Sequence, residues 1–312
     1  MPNTLAHFGV QSLISKATLQ PADIKWIGLG CILPDIPWIL QRLIQPLAMV
    51  NPVYLRLFVI VQSTLFFSLL PAGAISLQMK QSRKIFIILA VNIFIHLLLD
   101  PTQIKWANGT HLLAPFSWKL LHFNWYWPEQ FPSLLLTGLG LFLYAYWAWQ
   151  DRHQAIIILK DNRRRAMGAF LLVLYMLLPL LLLNGPLQAN NHFTATLLLE
   201  HPAGKAMEID RKNYRAADHT ITTLADTRLQ LRGTLPPKDA LLSIKGRFIN
   251  DSTILVSKYH VHSPLRDIFS LIGLGLFSCS WLLAVLQKRI RIQIISSRTD
   301  ETLPGAAPGK TS

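Results

Sequence analysis

Residues 83–101 read RKIFIILAVNIFIHLLLDP. Two cations open the stretch, an apolar run follows, and a histidine and an aspartate close it before a proline. A helix that crosses a bilayer core needs roughly 20 apolar residues, with about 17 as a lower limit. Ile85–Leu99 reaches toward that length when it is carried through Asp100. Four other stretches meet the standard, near Tyr54–Leu77, Ser133–Trp149, Met167–Leu187 and Ile268–Leu286. The reading is a mainly α, polytopic membrane helical bundle. Composition agrees, since 51% of the 312 residues are hydrophobic and 15% are charged. A soluble domain usually carries about 25% charged residues.

One further apolar segment, Ile27–Ile44, is interrupted by Pro34, Asp35 and Pro37. Proline removes a helix donor and kinks the chain. The segment is therefore expected to be a broken helix that enters or lies on the membrane, with its carboxylate covered by protein. Short loops then set orientation. Gln78–Lys84 holds Lys80, Arg83 and Lys84, and Gln150–Ala166 holds Arg152, Lys160, Arg163, Arg164 and Arg165. The tail after Leu286 holds Lys288, Arg289, Arg291 and Arg298. These three segments fall on one side when the spans are threaded in order, and basic loops mark the cytoplasmic side. The net charge of +14 is thus read as membrane orientation, with no nucleic-acid partner. Cys31 and Cys279 lie far apart in apolar sequence and are read as small hydrophobes. The start, MPNTLAHFGVQSL, is not read as a cleaved signal peptide.

The expected organisation is a membrane-embedded region over 1–187, a small outward-facing β domain over 188–266, a last span over 267–287 and a basic cytoplasmic tail over 288–312. Within the β domain, Phe193–Leu199, Thr220–Leu224, Arg228–Arg232, Leu241–Ile249 and Thr253–Val261 read as short strands. Such a set suggests a small barrel or sandwich, OB-like in outline. His192, His201, His219, His260 and His262 are read as ordinary surface or loop histidines, because no i,i+4 pairing with carboxylates occurs. Thr299–Ser312 is expected to be disordered.

The first 150 residues contain four acidic side chains, Asp23, Asp35, Asp100 and Glu129. Asp23 reads as a helix cap, and Glu129 as a solvated loop residue. Asp35 and Asp100 differ, because each is embedded in apolar sequence. A carboxylate near hydrocarbon costs roughly 2.5–3.5 kcal/mol even on the lenient insertion scale, which makes it a functional hypothesis. His96 and Asp100 are i and i+4 on one helix, so they share a face and can hold one cation together. His111 follows in Gly109-Thr-His111, and His7 precedes in Leu5-Ala-His7. Trp118, Phe123, Trp125, Tyr126 and Trp127 read as an interfacial belt. Ser117 has no evident base beside it. A Gly-rich phosphate loop, HExxH and CxxC are all absent from the sequence.

The order His7, Pro34-Asp35, His96-x-x-x-Asp100, His111 and Pro115-Phe116-Ser117 resembles the bacterial LexA-binding, inner-membrane-associated hydrolase family over roughly residues 1–150. It is also similar, more faintly, to zinc-dependent phospholipase C. The resemblance implies a multi-pass protein of the bacterial inner membrane with metal-dependent hydrolase activity. By that likeness His7, Asp35, His96, Asp100 and His111 are metal ligands. The further His-x-x-x-Glu helix of the soluble enzymes is not found, so one or two metals are implied rather than three. Zinc is the first choice for His and carboxylate ligands. A metal would lower the pKa of water and neutralise phosphoryl charge, while Asp35 is either a ligand or the general base. The expected substrate is a phosphoester in a membrane lipid or lipid-linked molecule. Two other readings stay open. One is a non-enzymatic membrane protein with a structural His/Asp cluster and a partner-binding β domain. The other is a transporter with Asp35 and Asp100 on an ion path.

Overall fold

The computed structural model describes residues 3–47, 50–224 and 227–294. The tail Thr299–Ser312 lies outside the described residues. The helices are α1 (Thr4–Thr18), α2 (Ile24–Ile32), α3 (Ile36–Ile44), α4 (Pro52–Gln62), α5 (Leu65–Leu77), α6 (Ser82–Leu99), α7 (Phe131–Gln150), α8 (Asn162–Leu177), α9 (Asn184–Gln188), α10 (Thr194–Leu197) and α11 (Leu265–Leu286). The strands are β1 (Ile156–Lys160), β2 (Ala206–Arg215), β3 (Thr220–Thr222), β4 (Arg228–Arg232), β5 (Ala240–Phe248), β6 (Thr253–His262) and β7 (Ile290–Ile294).

Among the described residues, five helical stretches are long and apolar enough to cross a membrane: Ile24–Leu47, Ser82–Thr102, Phe131–His153, Asn162–Gln188 and Leu265–Leu286. Their membership differs from the sequence reading in two places. Tyr54–Leu77 is not one straight helix, because α4 and α5 meet at 68°. Thr64 is extended there, at φ −77° and ψ 165°. The Ser63 and Thr64 hydroxyls donate to the carbonyls of Val59 at 2.8 Å and Val61 at 2.9 Å, so both hydroxyls at the break are bonded within the chain. Conversely, Ile24–Leu47 is more continuous than its prolines suggest. Pro34 and Pro37 each sit in the first turn of a new helical segment, where the missing N–H costs nothing.

The main departure is α1. Sequence hydropathy passes over it, yet Thr4, His7, Gln11, Ser12 and Ser15 are all buried. Asn3 caps it by accepting the Ala6 N–H at 2.9 Å. The helix runs parallel to α7. The Asn3 amide donates to the Thr137 hydroxyl at 2.6 Å, and Lys16 pairs with Asp151 at 2.5 Å near the other end. Its polar face is matched inside the bundle, where the Asn92 amide of α6 donates to the Ser15 hydroxyl at 2.9 Å. Polar side chains that bond to neighbouring helices do not need water.

The three basic segments meet at one end of the bundle. β1 and β7 pair in parallel from Ile156↔Ile290 to Lys160↔Ile294. Met79 bridges Ile158, and the Lys80 N–H donates to the Ile157 carbonyl at 3.0 Å. From there α6 rises 18 residues to Asp100, about 27 Å at 1.5 Å per residue. His7, at the start of α1, lies at that same far end.

Beyond the far end, β2 to β6 close a five-stranded barrel in the order β2-β3-β4-β6-β5, with β4 and β6 parallel. Of the expected barrel or sandwich, the barrel is the one formed. Met207, Ile209, Leu231, Leu242, Ile244 and Phe248 contribute to its core. The expected strand Phe193–Leu199 is instead a 3-10 turn followed by α10. Left-handed φ values at Asn190, His192 and Phe193 prevent extension, and the Asn190 side chain accepts the N–H groups of Ala195 at 3.0 Å and Thr196 at 3.2 Å. The first strand is β2, whose alternation is masked by charge and by an irregularity between Ile209 and Lys212.

Candidate metal centre and its cavity

Three elements converge at the far end of the bundle. α1 supplies His7, the 3-10 turn before α3 supplies Asp35, and α6 supplies His96 with Asp100 at its mouth. The His7 and His96 rings stack at 4.0 Å and 10°, and they are 0% and 1% exposed. His7 Nε2 lies 3.4 Å from Asp100 Oδ1. His96 Nε2 lies 3.5 Å from Asp35 Oδ1 and 3.8 Å from Asp100 Oδ2. Lys105 Nζ stands 3.6 Å from Asp100 Oδ1. Cys31, read from sequence as a plain hydrophobe, also faces this point. One ligand atom each of His7, Cys31 and His96 lie within 4.8 Å of one another.

By geometry His7, Cys31 and His96 could hold a divalent ion, with the Asp35 and Asp100 carboxylates beside them. Ligands about 2.0–2.2 Å from a tetrahedral ion stand about 3.4 Å from each other, close to the separations found. Both ring nitrogens of His7 and His96, with Asp35 Oδ1 and Asp100 Oδ1, are buried without a hydrogen-bond partner. Buried polar groups are nearly always paired, and the unpaired atoms that face one another here, one nitrogen of each ring with the two carboxylates, could share a cation. A cation satisfies ring nitrogens and carboxylates together.

His111 stands apart from the four. It lines the same cavity, but its Nε2 is paired with the Asn191 amide at 3.0 Å and its ring meets Trp118 edge-on at 5.4 Å. The structure thus brings His7, Asp35, His96 and Asp100 together and leaves His111 on the wall. The cavity, about 400 Å³, opens between bundle and barrel. Asp35, His96 and Asp100 line one part, and Arg42, Arg56 and His192 line another.

A second grouping corrects the reading of Glu129 and of the β-domain histidines. Glu129 is not a free loop carboxylate. It meets His262 Nδ1 at 2.9 Å, His260 Nε2 at 3.2 Å and Arg211 at 3.5 Å. Burial works against its charge, but the hydrogen bonds from His262 and His260 prevail and hold its carboxyl down to about 2. Burial lowers His260 in turn. The missed signal was His-x-His on a strand, where i and i+2 share a face; helical spacing was the wrong template.

By geometry this Glu/His grouping could also hold an ion, but its atoms are already engaged. Ser243 Oγ accepts the Arg211 N–H at 3.0 Å, donates to Asp210 at 2.7 Å and lies 2.7 Å from His262 Nε2. A hydroxyl has one proton and two lone pairs, so His262 Nε2–H is the donor in that last bond. The cluster therefore reads as a latch that ties the barrel to the loop before α7. Comparison with family models, with curated proteins and with solved structures gives no match for the chain.

Proposed function

We propose that the chain is a multi-pass inner-membrane hydrolase that depends on a divalent metal, zinc by preference, held by His7, Asp35, His96 and Asp100. The observation that carries the reading is the set of orphaned buried atoms of Asp35, His96 and Asp100 on one wall of a substrate-sized cavity, with the His7 ring stacked against His96. A bound divalent ion supplies acidification of water and neutralisation of phosphoryl charge. Asp100 is the anchor, since Lys105 and His7 both face it. Asp35, on the cavity wall, serves in this reading either as a ligand or as the general base. The substrate class is a phosphoester in a lipid or lipid-linked molecule.

The basic segments gathered at the other end of the bundle support an outward-facing site. Basic loops favour the cytoplasm, so the site opens toward the outer leaflet and its headgroups. The resemblance of the order His7, Asp35, His96-x-x-x-Asp100 and His111 to the LexA-binding inner-membrane hydrolases supports the same reading. The test is metal analysis of purified protein, joined to turnover of a phospholipid panel by wild type and Asp35→Asn. Turnover lost with metal and melting temperature retained supports catalysis. Metal and melting temperature lost together, with no wild-type turnover, make the cluster structural.

A further inference from the structure

The cavity has a second half whose chemistry is opposite to the first. Trp38 stands one helical turn beyond Asp35, so the two lie on neighbouring positions of one face. The Arg56 guanidinium carbon sits 4.9 Å from the Trp38 ring centroid, and the His192 ring lies 5.7 Å from the same ring. Arg42 lines the cavity beside them. Stacking on an aromatic face leaves the donor edge of a guanidinium open.

That edge is not used by the protein. Arg56 Nε is buried and without a hydrogen-bond partner, and so is His192 Nε2. Of the acids on the cavity wall, Asp35 faces His96, Asp210 lies within electrostatic reach of Arg56 without a hydrogen bond to it, and the others are held by other partners. Glu208 pairs with Lys245 at 2.7 Å and accepts the Ala107 N–H at 2.7 Å. Asp210 accepts from Ser243 at 2.7 Å, and Asp267 pairs with Arg211 at 3.0 Å. Asp100 faces Lys105 and the candidate metal ligands. His192 is held in place by a costly backbone, φ 53° followed by φ 53° at Phe193, and its N–H donates to the Ala107 carbonyl at 2.6 Å. Strained backbone that fixes an unpartnered side chain in a cavity is a mark of a binding site.

We propose that Arg56, with His192 and Arg42 around Trp38, forms an anion subsite for a phosphate group of the substrate other than the one being cleaved. The substrate then carries at least two phosphates, as a lipid-linked diphosphate or a lipid with a phosphorylated headgroup. Arginine meets phosphate in a planar, two-pronged fashion, and the neighbouring metal half faces the scissile phosphoester. This assignment rests on the preceding function only for the identity of the metal half; the subsite itself binds phosphate with or without a metal.

The test is calorimetric titration of the full chain in lipid nanodiscs with inorganic pyrophosphate, with and without chelator. Wild type is expected to bind in both conditions. Arg56→Gln is expected to weaken binding by about tenfold or more, the weight of a charged hydrogen bond, and Arg56→Lys by less. In wild type, pyrophosphate should also slow modification of Arg56 by phenylglyoxal, read by mass spectrometry, which removes any dependence on how the variants fold. Added lipid-linked diphosphate that competes with pyrophosphate identifies the lipid as the source; pyrophosphate binding that lipid does not displace identifies soluble phosphate, and the lipid-substrate half of the proposal is overturned. Pyrophosphate that fails to bind, or that binds Arg56→Gln as tightly as wild type and leaves Arg56 unprotected, overturns the subsite. Binding that survives chelation while no lipid is turned over leaves the subsite standing and removes the hydrolase.

Discussion

Gly9 of α1 and Gly140 of α7 meet backbone to backbone. A Cβ on Gly140 would stand 1.7 Å from the Leu5 carbonyl oxygen, and one on Gly9 would stand 2.8 Å from Gly140 Cα. This crossing presses α1 into the bundle and so sets where His7 lies. Gly140→Ala is expected to separate the helices, destabilise the protein by about 1–3 kcal/mol as overpacking does, and lower metal content with it. Gly138→Ala has open space for its methyl and is the control. Unfolding in mixed micelles and metal analysis check both. Equal behaviour of the two variants counts against the α1–α7 crossing as the element that positions His7.

Topology gives a second expectation. Reporters inserted after Lys84, at Arg164 or after Arg291 should report the cytoplasm, and one at Lys238, in the turn before β5, the far side. The Met79–Ile158 bridge and the β1–β7 pair require the first three to agree with one another whatever the orientation. A cytoplasmic signal at Lys238 reverses the assignment of the site to the outer leaflet.

His96 and Asp100 were legible because helical spacing alone puts i and i+4 on one face. His7 and Asp35 could be attached to them only through the resemblance, since no local period relates residues on three different helices. The obstacle to placing His7 was α1, whose Thr4, Gln11, Ser12 and Ser15 look too polar for a buried helix. They are buried against other helices rather than lipid, a distinction that hydropathy does not carry. Cys31 and Lys105 gave no signal, because a lone thiol or ammonium has no pattern. In the barrel, β3 to β6 follow from alternation and turns. The strand β2 does not, since its sequence AMEIDRKNYR is polar and its register shifts midway.

The Glu129 latch predicts acid sensitivity with a defined sign. The Glu129 carboxyl is held at about 2 in the folded protein, below its ordinary 4.5. Its contribution is complete above pH 4.5 and is lost as pH falls toward 2. His260 is held below its ordinary 6.5 by burial, so folding loses stability there too as pH falls below 6.5. Wild-type melting temperature should therefore decline in two stages on acidification. Glu129→Gln should lower it at pH 7 and abolish the second stage, with faster hydrogen exchange in β6. Unchanged exchange in β6 would show that the latch does not hold the barrel.

The last expectation separates an ion site from a hydrogen-bond cluster. His7 and His96 each turn Nε2 toward a place where two carboxylates also arrive. If a cation binds there, His7→Ala and Asp100→Asn should each lower divalent metal content, and wild type should lose melting temperature on chelation and regain it on zinc addition. The change should vanish in both variants, because the stabilisation is the binding free energy itself. Cys31→Ser distinguishes the ligand set: zinc retained with unchanged affinity places the thiol outside the first coordination sphere, and a fall comparable with His7→Ala places it inside. His111→Ala, which removes only a cavity-wall residue paired with Asn191, should leave metal content intact. A wild type whose melting temperature ignores both chelator and metal would leave the stacked imidazoles as a hydrogen-bond cluster and remove the basis for the hydrolase.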